Sequence, residues 1–458
     1  MKNIILIPFL VAFIFASVAD QTVVIYSQGW AQIQEIRNLE LKSKGEVEFS
    51  LTGLPRETDQ GSIRLIIPGM KLNRREFRYR PLNQISMLRE QVGKELDLVR
   101  YGEDGAISFR TKGKLLQMID QPVYQIDGNV VFNPPYEVLF TDLPEGATTG
   151  GAELVCAGNS KEREISAFLT YLTRNYSWTC DYTLTMKEMD HCMLEGWFRI
   201  SNGNNVALDP SQITLVTGDV NFNGSYQPVS PRAVGRSEMT KDFSAMAVMA
   251  APDPFSVSGT DDFAIFTITE PSVLPAQGSQ QFPYISIENL RVSKIYKIQH
   301  QLNYGGHNRS HEPQPVDVEY RFSADDIGEY NHPAGVVRVY EQAPAGEIYV
   351  GSGQTDIVSA GEKFKIRTGR SHDVTAHIIQ KGYEQERKHY VHEIEAEVVN
   401  KQPHQVILEW REMISGDWDI KLNSHPFTRE NAQTALFKLK IPAQQSVTVK
   451  FTAELRRQ

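Results

Sequence analysis

The sequence lacks the motifs of the commonest nucleotide-dependent and serine-dependent enzymes. Neither the phosphate-binding pattern GxxxxGK[ST] nor the dinucleotide-binding pattern GxGxxG occurs, and Gly351-Ser352-Gly353 is only a glycine-rich fragment. The serine-hydrolase pattern GxSxG is absent as well. We therefore expect no nucleotide, no serine nucleophile of that type and no cofactor.

Cysteine is scarce, since the chain contains only Cys156, Cys180 and Cys192. Three cysteines at these spacings cannot build a disulfide framework, even in a compartment that allows disulfides. Two alternatives stay open. Either Cys180 pairs with Cys192, or all three are half-buried thiols that behave as small apolar residues.

Long apolar runs are missing except at the start of the chain. Lys2 precedes an apolar stretch over residues 4–16, and small residues at 17–19 lead to Asp20, which predicts a signal peptide over residues 1–19. The apolar stretch is shorter than the ~20 residues of a membrane-spanning helix. We expect an exported protein of the periplasm, cell surface or extracellular space, with no transmembrane span in the mature chain.

The charge excludes some partners. The chain has 47 basic and 56 acidic residues, which gives a net charge of −9, and removal of Lys2 with the signal peptide takes it to −10. The two signs are mixed along the sequence, without a basic patch. This pattern argues against nucleic acid and anionic lipid as partners.

The hydrophobic periodicity is that of strands. Val47, Phe49 and Leu51 alternate with polar residues, and residues 446–455 do the same. Asp127-Gly128 lies between two such segments, as a hairpin turn does. These patterns predict an all-β protein of antiparallel β-sandwich domains, immunoglobulin-like in type.

Helical spacing is found at one place, and composition suggests where the domains end. Ile85, Leu88 and Val92 predict one short helix near residues 83–92, which Gly93 ends. Shifts in composition predict three parts of the mature chain. They are an N-terminal β domain at 20–145, a β-sandwich region at 151–458, and a loop or linker at 230–258 within that region.

One polar region offers weak candidates for metal ligands. They are His307, His311, Glu312 and His332. On a helix His307 and His311 would share a face. Glycines and prolines in the same stretch predict a loop instead, in which histidines are usually solvated, so we expect no metal.

The five tryptophans lie within or beside strand patterns. Packing across strands is the interpretation for most of them, and Trp178 and Trp197, like Tyr171, are predicted to be packing anchors. Trp30 and Trp418 flank glycines, so these two are predicted to be exposed aromatic contacts. Exposed rings of this kind serve as flat platforms in sugar-binding sandwiches.

Segments over nearly the whole mature chain resemble the exported bacterial DUF4139 family, relatives of the mucoidy inhibitor A proteins. The most distinctive are ISAFLTYLTRNYSWTCDYTL and LEGWFRISNGNNVALDPSQITLVTGDVN, with PAGVVRVY further on. One stretch departs from the family, because residues 356–362 lack its usual His-Thr-Pro step. The resemblance implies a two-part β-sandwich protein of the bacterial envelope. It implies no reaction.

Two classes of function follow. The first is a non-catalytic binding or structural module that recognises another envelope protein or a surface polymer, and its mark would be an exposed aromatic patch without a deep pocket. The alternative is a hydrolase of glycan or peptidoglycan, whose mark would be a cleft with converging carboxylates. The sequence itself assigns no catalytic residue.

Overall fold

The structure of the protein is a computed structural model. The residues that it describes are 17–79, 83–140, 151–218, 220–222, 255–260, 263–268, 271–302 and 313–456. They form 30 strands, one α-helix (α1, Gln84–Glu90) and one 3-10 turn (Gln60–Ser62). The predicted all-β class, with antiparallel sheets and one short helix, is confirmed.

The strands are numbered in chain order. The first fifteen are β1 Ser17–Tyr26, β2 Trp30–Glu40, β3 Gly45–Leu54, β4 Arg64–Ile66, β5 Met70–Arg78, β6 Glu95–Tyr101, β7 Ile107–Met118, β8 Pro122–Ile126, β9 Asn129–Phe132, β10 Glu137–Leu139, β11 Ala152–Ser160, β12 Glu164–Arg174, β13 Tyr176–Met186, β14 His191–Asn202 and β15 Gln212–Val216. The other fifteen are β16 Phe255–Thr260, β17 Phe263–Ile268, β18 Gly278–Arg291, β19 Ser293–Leu302, β20 Asp317–Ser323, β21 Gly335–Ala343, β22 Gly346–Thr355, β23 Lys363–Arg370, β24 Val374–Glu386, β25 His389–Asn400, β26 Val406–Ile414, β27 Asp417–Asn423, β28 Phe427–Asn431, β29 Thr434–Ile441 and β30 Gln445–Arg456.

These strands form six sheets. Their strand orders are β16-β17-β15-β1-β2-β12-β4, β10-β6-β7-β8-β9, β3-β11-β5, β18-β14-β13-β21-β22, β23-β20-β19-β26-β29-β28 and β24-β25-β30-β27. Most neighbours are antiparallel, and the parallel pairs include β1 with β15, β13 with β21 and β19 with β26. Antiparallel sheets of this kind can expose one face to water, which the alternating sequence patterns require.

The chain divides into two compact units. The first comprises Met1–Trp178, Ile200–Met249 and Ile265–Gln280, and the second comprises Thr179–Arg199, Ala250–Ala264 and Gln281–Gln458, in each case as far as the residues are described. Both sides of the predicted boundary at 145–151 belong to the first unit, so the predicted division does not coincide with the observed one. Most of the predicted linker at 230–258 lies outside the described residues.

The helix belongs to the first unit and lies within the predicted range, although Ile85 and Val92 of the predicted apolar pattern are exposed. The Asn83 side chain accepts a hydrogen bond from the Ser86 amide at 2.9 Å, which caps the first turn. Leu88 is its buried residue and joins Leu98 and Leu115 in a small core against the five-stranded sheet. The helix ends before Gly93, whose φ of +89° suits a glycine.

The largest core of the second unit lies between the six-stranded and the four-stranded sheet. Trp410 is fully buried there, with its ring centroid 5.4 Å from that of Phe437 and 5.6 Å from that of Phe451. Side chains from the inner faces of both sheets contribute to this core. It is a β-sandwich in the sense of two sheets packed face to face.

Candidate binding face

The sheet β18-β14-β13-β21-β22 of the second unit has one buried and one outward face. In β13, Cys180, Tyr182 and Leu184 are fully buried, so the residues between them point to the other side. Cross-strand pairing puts Thr183 beside Arg338 on that side. We call this side the Trp197 face. Its residues are Asp181, Thr183, Thr185, Trp197, Arg199, Arg338, Tyr340, Tyr349 and Ser352.

Trp197 is the exposed indole of this face, with 39% of its surface accessible, whereas its neighbour Phe198 is fully buried. The prediction that Trp197 is a packing anchor is therefore wrong. Tyr171 and Trp178 are buried, as predicted. A signal for Trp197 is present in the sequence, because adjacent residues of a strand point to opposite faces and only one of Trp197 and Phe198 can enter the core.

Asp181 organises the charges around the indole. Its carboxylate lies 3.1 Å from the Arg338 guanidinium and 3.0 Å from Nε of Arg199. Gln281 donates a weaker hydrogen bond to it at 3.5 Å. One buried carboxylate thus holds two arginines whose side chains remain partly exposed, and each guanidinium carries five N–H donors in a fixed plane.

Two tyrosines form a second aromatic group on the same face. Tyr340 and Tyr349 are paired across β21 and β22, with ring centroids 5.6 Å apart at an interplanar angle of 60°. A register shift between Val339 and Tyr340 accompanies this pairing. Tyr349 is 56% exposed. The face therefore carries rings at two places, separated by hydroxyl, carboxylate and guanidinium groups.

This arrangement offers stacking surfaces and hydrogen-bonding groups on one face. Exposed indole and phenol rings offer flat apolar surfaces with polar edges. The Thr183 hydroxyl and the partly exposed guanidinium groups of Arg199 and Arg338 can form hydrogen bonds with a ligand. A ligand that alternates apolar ring faces with hydroxyl groups, as a glycan does, matches this distribution.

Trp30, predicted to be an exposed contact, is half-buried in the first unit. It lines a groove of about 680 Å³ together with Gln28, Asn175 and other residues. Its ring stacks on Phe222 with centroids 5.0 Å apart, and the Arg174 guanidinium lies 4.7 Å from the ring centroid. Because protein side chains already cover the indole, its role as a ligand contact stays a prediction.

Trp418 is buried in the second unit at 3% exposure, so the prediction that it is exposed is wrong. Its Nε1 donates a hydrogen bond to the Ala432 carbonyl at 2.8 Å, and the Arg429 guanidinium lies 3.9 Å from the ring centroid. The glycine beside it makes the turn into β27, and the tryptophan itself points inward from that strand.

His332, a weak metal candidate, is a fully buried core residue. Its Nδ1 lies 2.8 Å from the Tyr284 hydroxyl, and its Nε2 lies 3.2 Å from the carbonyls of both Ala324 and Gly328. Both ring nitrogens are thus satisfied by the protein, and burial lowers the pKa of this imidazole. The other candidates, His307, His311 and Glu312, lie outside the described residues.

The described part of the chain does contain one group with metal-ligand chemistry that the sequence patterns did not indicate. Glu188, Asp190 and His191 lie at the turn between β13 and β14, with ligand atoms within 4.8 Å of one another. Nδ1 of His191 is 2.8 Å from the Asp190 carboxylate. Glu188 and Asp190 are exposed, as acidic turn residues commonly are.

The three cysteines are free and buried. Cys180 and Cys192 therefore do not form a disulfide, and the alternative of separate thiols is the one that the structure has. Burial raises the pKa of the Cys156 thiol to about 12 and that of Cys192 to about 12, and it raises the pKa of Cys180 as well. Thiols in such surroundings are poor nucleophiles and act as small apolar residues.

A second groove of the first unit, about 530 Å³ in volume, contains a buried carboxylate that a hydrolase would need. Glu35 accepts hydrogen bonds from Gln21 and Tyr171, each at 2.9 Å, and from Nε of Arg37 at 2.6 Å. Both of its oxygens are therefore engaged by neighbours on β1, β2 and β12. Such a network holds these strands together.

A buried pair in the second unit joins two parallel strands. Nδ1 of His300 lies 2.8 and 2.9 Å from the two carboxylate oxygens of Glu412, and Trp410 Nε1 donates to Glu412 at 3.0 Å. Burial alone would lower the pKa of His300, but the hydrogen bond and the charge of Glu412 outweigh it and raise the pKa. Burial raises the pKa of Glu412 too, against the effect of His300.

This pair makes the stability of the second unit depend on pH. Because both pKa values are raised, the folded state holds protons that the unfolded chain releases, so stability falls as the pH rises. The contribution of His300 is complete below its ordinary pKa of ~6.5 and is lost as the pH rises through the raised value.

We expect the free energy of unfolding to fall less between pH 6 and 9 in Glu412→Gln than in the wild type. Denaturant titration at several pH values measures this free energy. An unchanged slope, equal to that of the exposed control His372→Gln, would contradict this assignment.

No helix among the described residues is long and apolar enough to cross a bilayer. No protein-family model matches the sequence, and no curated protein matches it. The resemblance to the DUF4139 family therefore stays a prediction, and the Trp197 face rests on its own geometry.

Proposed function

We propose that this is an exported protein of the bacterial cell envelope that binds a surface polysaccharide without catalysis. The observation that carries the proposal is the partly exposed Trp197 on a polar sheet face, with Asp181, Arg199 and Arg338 beside it. The signal-peptide pattern over residues 1–19 supports export.

A polysaccharide fits the Trp197 face better than a second protein does. The cores of protein interfaces are enriched in tryptophan, tyrosine and arginine but depleted in aspartate. Here Asp181 lies beside two arginines near the indole, and Thr183 and Arg338 lie between the indole and Tyr340. Rings interrupted by hydrogen-bonding groups match a chain of sugars, which presents apolar ring faces and hydroxyls in turn.

A hydrolase finds less support in the described residues. Glu35, the buried carboxylate in a groove, is fully engaged by Gln21, Tyr171 and Arg37. Asp181 accepts a hydrogen bond from Arg338 at 3.1 Å and lies 3.0 Å from Nε of Arg199.

The test is co-sedimentation of the mature protein with purified peptidoglycan sacculi and with insoluble N-acetylglucosamine polymer, together with a glycan array. We expect Trp197→Ala to weaken polysaccharide binding at least about tenfold, because an aromatic residue at the centre of a contact contributes ~2 kcal/mol or more. Circular dichroism and the unfolding midpoint should stay unchanged, since Trp197 contributes little to the core.

Phe168→Ala is the matched control, because Phe168 is another exposed aromatic residue of a strand, 44% accessible, in the first unit. It should bind as the wild type does. Equal loss in both variants, or wild-type protein that binds no polysaccharide, would overturn the proposal. If the protein instead binds an envelope protein, and Trp197→Ala weakens that binding, the face would be assigned to a protein partner.

A further inference from the structure

We propose that the Trp197 face takes an extended chain of several linked sugars and does not select a single sugar or a disaccharide. This inference rests on the function proposed above and specifies its ligand class. It follows from the two separate aromatic places on the face, Trp197 at one and Tyr340 with Tyr349 at the other.

The two places are separated across the strands. Trp197 lies on β14, Tyr340 on β21 and Tyr349 on β22, in a sheet whose order is β14-β13-β21-β22 at this edge. Two strand spacings therefore separate Trp197 from Tyr340, and three separate it from Tyr349. At ~4.8 Å per spacing these are about 10 and 14 Å.

They are also separated along the strands. At the turn between β13 and β14, the Lys187 amide donates to the His191 carbonyl at 3.0 Å. Carrying this antiparallel register along both strands sets Trp197 opposite Asp181, which agrees with the contact between Asp181 and Arg199. Tyr340 is paired with Thr185, four residues further along β13.

At ~3.3 Å per residue, those four residues add about 13 Å, so the indole and the Tyr340 ring are anchored roughly 16 Å apart. One sugar ring is similar in size to one aromatic ring and covers only one of the two places. A chain that reaches both must run diagonally over β13, past Thr183 and Arg338, whose side chains lie between them.

Binding at two linked places predicts a characteristic dependence on ligand length. Once one end of a sugar chain is stacked on Trp197, its other end is held close to the tyrosines. The second contact is then intramolecular, and the high effective concentration of that end raises the overall affinity. Short ligands gain nothing from the second place. Affinity should therefore rise at the length that first spans both.

The experiment uses β-1,4-linked N-acetylglucosamine oligomers of one to six sugars as probes, with calorimetric titration of the mature protein. We expect the affinity to rise at least about tenfold between the disaccharide and the hexasaccharide. Tyr340→Ala and Tyr349→Ala should each reduce this rise. Trp197→Ala should weaken binding at every length, and Phe168→Ala should match the wild type.

The outcomes separate the two proposals. Equal affinity for the disaccharide and the hexasaccharide, still lost in Trp197→Ala, would overturn the extended-chain inference and leave the proposed function standing. A rise with length that both tyrosine variants retain would also overturn the inference. No binding of any oligomer, of sacculi or of the insoluble polymer would overturn the proposed function itself.

Discussion

Replacing Trp410 by alanine is expected to lower the free energy of unfolding of the second unit by about 3–5 kcal/mol, the usual cost of removing a buried tryptophan. The indole is fully buried and contacts the rings of Phe437 and Phe451 in the middle of the sandwich. Its removal leaves a cavity between two sheets whose strands cannot collapse freely. Glu412 also loses the hydrogen bond that Trp410 Nε1 donates.

Urea unfolding followed by circular dichroism measures this effect, and Trp197→Ala is its matched control. Both variants remove an indole from the second unit, one fully buried and one 39% exposed. The control should change the free energy of unfolding by no more than about 0.5 kcal/mol, as exposed substitutions usually do. Similar losses in the two variants would contradict the placement of these tryptophans.

Replacing Glu409 by glutamine is expected to cost the second unit about 2–3 kcal/mol, somewhat below the ~3–5 kcal/mol of breaking a fully buried pair. Arg321 donates to both oxygens of Glu409 at 2.8 and 2.7 Å, and Arg411 donates at 3.0 Å. The loss stays moderate because Arg321 keeps Glu319 and Arg411 keeps Glu430. These charges lie along the outward face of the six-stranded sheet and are mostly buried under one another.

The same network predicts how stability changes in acid. The hydrogen bond from Arg321 lowers the pKa of Glu409 to about 2, against the effect of burial. A carboxylate with a lowered pKa contributes stability above its ordinary pKa of ~4.3, and that contribution is lost as the pH falls toward about 2.

Unfolding free energies between pH 5 and 2 should therefore fall less steeply for Glu409→Gln than for the wild type. Glu397→Gln, an exposed change on β25, is the control and should keep the wild-type slope. A wild-type slope in Glu409→Gln would show that the pairing with Arg321 contributes nothing in solution.

Most of the fold could be predicted from period-two patterns, because a strand with one buried face has to alternate. The alternation of Val47, Phe49 and Leu51 appears as β3, and that of residues 446–455 appears within β30. The helix at Gln84–Glu90 was visible for a similar reason, since Ile85, Leu88 and Val92 recur at helical spacing and Gly93 follows them. Local chemistry decides such elements.

The candidate site could not be predicted in the same way. Trp30 and Trp418 were predicted to be exposed because glycines lie near them in the sequence. A nearby glycine indicates a turn, but it does not indicate to which face of the strand the tryptophan ring points. Trp418 points inward and donates to the Ala432 carbonyl. Trp197 looked like core because its strand is rich in apolar residues, although the adjacent Phe198 already fills the inner position.

The sequence by itself determined the strands, their turns, the short helix and the pattern of alternating faces, because each depends on residues close together in the chain. Only the tertiary structure decided which alternating face is covered and which distant groups meet on it. Asp181 lies far from Arg338 and Tyr340 in the sequence, and the parallel pairing of β13 with β21 brings all three onto one surface. That surface depends on long-range strand order, which local periodicity does not encode.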